Sequence, residues 1–70
     1  MKLSKKQQLQ LLTESAKMAF SRANANIERE YHIGCLSAYN EAIFCVSGAY
    51  SNEISGLLNG LLAEDIGNGK

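Results

Sequence analysis

His32 is the one histidine of this 70-residue chain, and Glu28 stands four residues before it. That spacing puts a carboxylate and an imidazole on one helical face, a pair able to hold a metal ion or move a proton, with Glu41 as a further oxygen donor. Carboxylate metal sites in helical proteins draw several such ligands into a bundle core. Here one pair sits near an expected turn, so His32 reads as a solvated turn residue. Cys35 and Cys45 fall ten residues apart on one expected helix, about 15 Å along its axis and beyond disulfide reach. They read as reduced, buried thiols, and the expected location is cytoplasmic. No nucleophile has a base beside it and no glycine run forms a phosphate loop. The expectation is a non-enzymatic chain with no catalytic, metal or cofactor-binding residues.

The remaining chemistry is electrostatic. Net charge is +0, yet six basic residues against three acidic ones fall between Met1 and Tyr31, and the acids Glu41, Glu53, Glu64 and Asp65 face one lysine beyond it. Lys2, Lys5 and Lys6 form the one local basic cluster and are the candidate nucleic-acid contacts. Dispersed charge with no aromatic interleaving gives little general attraction to phosphate. In an antiparallel hairpin the three lysines would lie beside Glu64 and Asp65, each group opposing its own helix dipole but suiting the other.

Positioning these residues requires helices. Ser4 is a candidate N-cap with Gln7 at the capping-box position, and no glycine or proline interrupts the chain until Gly34. Leu9, Leu12, Ala16, Ala19, Phe20, Ala23 and Ile27 then follow steps of three and four, which share one helical face. The pattern predicts an all-α chain: a helix over about 4–30, a break at YHIG where Gly34 takes the left-handed conformation, and a second helix over about 35–64. The alternative is a three-helix bundle with a break near Gly48–Ser51, where Gly48 weakens a helix and Ser51 could cap a new one. Residues 1–70 read as a single helical domain with 66–70 as a frayed tail. The start is too polar for a signal peptide. The best candidate span, 42–63, is interrupted by Asn52, Glu53 and Asn59, so no membrane association is expected despite the closely spaced Gly56 and Gly60.

The small residues suggest how two long helices would meet. Leu9, Ala16 and Ala23 recur every seven residues, and Gly56, Ala49 and Ala42 answer them in reverse order, as facing positions of an antiparallel hairpin must. Such a seam leaves a bulky stripe of Leu36, Tyr39, Ile43, Val46, Tyr50, Leu57 and Leu61 uncovered. These are the candidate self-interface, and a second copy covering them makes a homodimeric four-helix bundle. The layout resembles that of the Rop-type plasmid copy-number regulators, helical-hairpin dimers that bind RNA, with no motif in common. The functional expectation is a small protein-protein interaction module, an adaptor, chaperone-like subunit or inhibitor acting by covering a partner surface. The alternative is a dimeric nucleic-acid-binding regulator using the lysine cluster.

Overall fold

In a computed structural model the chain is described over residues 2–68 of the backbone and to Glu64 for side chains. These residues form three α-helices and no strand: α1 (Lys5–Asn24), α2 (Arg29–Ser47) and α3 (Asn52–Asn68). The start of α1 follows from its capping box. The Ser4 hydroxyl accepts from the Gln7 N–H at 3.1 Å, and Gln7 Oε1 accepts from the Ser4 N–H at 2.9 Å.

The first helix ends six residues before its expected limit, and Gly34 lies inside α2 rather than at the break. Asn26 supplies the left-handed residue instead, at φ 63°. The Asn26 N–H bonds the Ala23 carbonyl at 3.0 Å and the Ile27 N–H bonds the Arg22 carbonyl at 2.9 Å, the paired bonds of a Schellman ending. Asparagine tolerates this conformation better than other side-chain-bearing residues, which is why the helix can stop without a glycine. Glu28, at φ 43°, completes the reversal and precedes α2 with no side-chain cap.

The expected 35–64 helix is likewise two. Gly48 closes α2 at φ 84°, its N–H reaching the Phe44 carbonyl at 2.8 Å, and the Ser51 hydroxyl caps α3 by accepting from the Ile54 N–H at 3.2 Å. The three-helix alternative therefore describes the chain, and the two-helix layout similar to the Rop-type regulators does not. A pair of such chains would contain six helices rather than four. Helix α3 continues through Asn68; residues 69 and 70 of the expected tail lie outside the described residues.

Moving the reversal to Ala25–Glu28 changes which residues face each other. Ala16, Ala19 and Ala23 of α1 are buried under Leu36 and Ile43 of α2 and Ile54 and Leu61 of α3, with Leu9, Leu12, Phe20, Ile33, Tyr39 and Leu58 packed around them. The alanines accept bulky partners rather than other small residues. Ala49 and Gly56 are exposed, and a Cβ placed on Gly56 would meet nothing within 4 Å, so no tight seam forms there. Helix α2 runs back along α1, and α3 runs parallel to α1: Lys17 meets Glu53 at 3.2 Å near the start of α3, while Asn24 and Glu64 border one groove near its end. Burying three alanines and four larger side chains makes a small core.

Candidate interaction face on the first two helices

The core-facing stripe of α1 leaves an opposite face carrying Gln7, Leu11, Glu14, Ser15, Met18 and Arg22, spaced by threes and fours. Leu11 is 50% exposed and Met18 60%, and Leu3, ahead of the helix, is 46% exposed. Leu3, Gln7, Gln10, Leu11 and Glu14 enclose a shallow depression of about 280 Å³. Further along, Met18, Ala19 and Arg22 form one wall of an open cleft of about 240 Å³ whose other wall is Tyr31, His32, Cys35 and Tyr39 of α2. Tyr31, 65% exposed, stands at its rim.

His32 therefore lies in α2 and not in the turn. Its ring meets the Tyr31 ring edge-on, centroids 5.0 Å apart at 75°. The Tyr31 phenol is held above its ordinary range first by its hydrogen bond with Cys35 and then by the charge that Cys35 can carry. Cys35 is half-buried at the cleft, whereas Cys45 is exposed rather than buried, and both are free thiols. Glu28 and His32 are one helical turn apart, but Glu41 is occupied elsewhere, accepting from the Tyr50 hydroxyl at 3.2 and 3.3 Å. Among the described residues no group of three or more histidine, cysteine or acidic side chains is placed to hold a metal ion. The arrangement places a phenol, an imidazole, a guanidinium and a thioether side by side on an open surface.

The seven residues of the expected self-interface are dispersed. Leu36, Ile43 and Leu61 are enclosed in the chain's own core, Tyr39 packs between core and cleft, and Val46 is half-buried. Leu57 lines a groove of about 290 Å³ between α1 and α3 with Phe20, Asn24, Gly56, Gly60, Leu61 and Glu64. Tyr50 lies in the α2–α3 connection, stacked on Phe44 with centroids 4.7 Å apart. A third helix supplies the cover that a two-helix chain would have sought outside itself.

The lysine cluster also sits elsewhere than expected. Lys2, Lys5 and Lys6 are exposed at the start of α1, about 30 Å from its other end, where Glu64 pairs with Arg29 at 3.4 Å. The Asp65 side chain lies outside the described residues. Sequence reading passed over Leu11, Met18 and Tyr31; the available signal was their absence from the core-facing stripe despite their apolar character. Comparison with family models, with curated proteins and with solved structures yields no match. Among the described residues no helix is long and apolar enough to cross a membrane.

Proposed function

We propose that this chain is a small non-enzymatic interaction module that works by laying the outer face of α1, with the adjoining Tyr31 rim of α2, against another protein surface. The observation that carries this reading is the alignment of Leu11, Met18 and Tyr31 on one side of a molecule whose core uses none of them. Methionine and tyrosine suit such a face: one adapts its shape to a partner, the other combines apolar area with a hydroxyl. Interleaved Gln7, Gln10, Glu14, Ser15 and Arg22 keep the face soluble when it is free. Association with a second copy, expected from the sequence as a homodimer, belongs to this proposal with a changed surface, since Leu36, Ile43 and Leu61 are already enclosed.

The test places a photoreactive amino acid at Met18 in one variant and at Ser37, exposed on α2 away from the cleft, in another. Discrete protein adducts from position 18 and none from position 37 support the reading; equal yields, or none from either, overturn it. A second reading is favoured by Lys2, Lys5 and Lys6, which are exposed and make no ion pair among the described residues. Weak nucleic-acid binding through them would fall steeply with salt and disappear when all three become glutamine. No gel retardation of mixed oligonucleotides at low salt would remove it.

A further inference from the structure

We infer that the occupant of the α1 outer face is a second copy of this chain, docked antiparallel about a two-fold axis passing beside Met18. This rests on the reading of that face as an interaction surface and adds the identity and orientation of the partner.

Glu14, Met18 and Arg22 follow one another at steps of four residues, so the three side chains line up along the outer face of one helix, spanning about 12 Å. Glu14 and Arg22 are exposed, and neither makes an ion pair among the described residues, although Lys17, Glu53, Arg29 and Glu64 all do. An acid one turn before an exposed methionine and a base one turn after it make a self-complementary pattern. A two-fold axis at Met18 exchanges the two ends. Glu14 of each copy then meets the partner's Arg22, twice by symmetry, with the two methionines in contact between them.

A parallel pairing on the same face would instead set Glu14 against Glu14 and Arg22 against Arg22, so the charges select the antiparallel arrangement. The apolar groups agree with it. Leu11, on the Glu14 side of the axis, is carried toward the partner's cleft, where Tyr31 stands at the rim beside Arg22. A net charge of +0 imposes no long-range repulsion between copies.

The experiment is sedimentation equilibrium of the full chain over a wide concentration range, with Glu14→Arg, Arg22→Glu and the double exchange. Both positions are exposed, and circular dichroism verifies that each variant keeps its helices. The wild type should associate, each single reversal should weaken association at least about tenfold by breaking two pairs at once, and the double exchange should restore it. Single reversals without effect, or a double exchange that fails to restore association, overturn the inference. A wild type that stays monomeric at the highest concentration also overturns it. In that last case photoadducts from position 18 separate the two claims: adducts with other proteins leave the face an interaction surface with a different partner, and their absence removes both.

Discussion

Asn40 is the one polar side chain enclosed among the described residues, 6% exposed, and both ends of its amide are engaged. Its Nδ2 donates to Ser55 Oγ at 3.0 Å and its Oδ1 accepts from the Ser51 N–H at 2.8 Å, tying α2 to the first turn of α3. Asn40→Ala removes both bonds and leaves the Ser51 N–H partly enclosed without an acceptor. Urea unfolding should show a loss of about 1–3 kcal/mol. Tyr50 gives a second test at this scale. Its phenol is raised above its ordinary value, chiefly by the hydrogen bond to Glu41 and then by that carboxylate's charge. A folded-state value above the unfolded one means the bond stabilises the fold below the unfolded value and is lost as pH rises through the folded one. Glu41→Gln should therefore lower the ionisation midpoint of one tyrosine, read from phenolate absorbance. An unchanged titration would show that the Tyr50–Glu41 bond does not form in solution.

Helix endings decide this fold, and Gly48 differs in kind from Gly56 and Gly60. Gly48 is at φ 84°, where any side chain is strained even though the surrounding space is open. Gly56 and Gly60 lie within α3 with ordinary helical backbone and nothing within 4 Å of an added Cβ. Gly48→Ala should destabilise by about 1 kcal/mol, whereas Gly56→Ala and Gly60→Ala should each stabilise by up to about 1 kcal/mol, measured as shifts in thermal melting. A loss of stability on Gly56→Ala would instead mean that another surface packs against that position in solution. The Asn26 ending was hidden for a chemical reason. Asparagine is acceptable both in a helix and in the left-handed position after one, and which role it takes depends on whether Arg22 and Ala23 can offer their carbonyls to the turn.

Across the whole molecule, Arg29 fastens the three helices at one end. Its Nη1 donates to the Ala23 carbonyl at the end of α1 at 2.9 Å, and its Nη2 to the Leu61 carbonyl of α3 at 3.1 Å and to Glu64 at 3.4 Å. The planar fork reaches the last turn of α1 and the interior of α3 at once, which a lysine could not do. Helix α3 otherwise rests mainly on Ile54, Leu58 and Leu61, a narrower attachment than the alanine-lined contact of α1 with α2. Arg29→Ala should raise amide hydrogen exchange over residues 57–64 well above the change in α1, with only a modest fall in global stability. Uniform acceleration along the chain would show that the helices open as one unit and that Arg29 is no separate fastening.

Much of the helical character was legible because it is local. The Ser4–Gln7 box and the rival break at Gly48 with Ser51 as a cap depend on residues within a turn or two of each other and recur in the structure. So does the expected stripe from Leu9 to Ile27, except for Ile27 itself, which falls in the turn beyond α1 and is exposed. The bulky residues Leu36, Ile43 and Leu61 were recognisable as needing cover, but not whether a second chain or a third helix would provide it. That choice turned on where the chain reverses. Asn26 and Glu28 accept left-handed backbone because the ends of α1 and α2 meet there and Arg29 reaches across them. Shifting the reversal by a few residues moves every facing pair, so Ala16 lies under large side chains instead of beside Ala49. Periodicity along one helix is set by nearest neighbours, while register between helices is a property of the packed whole.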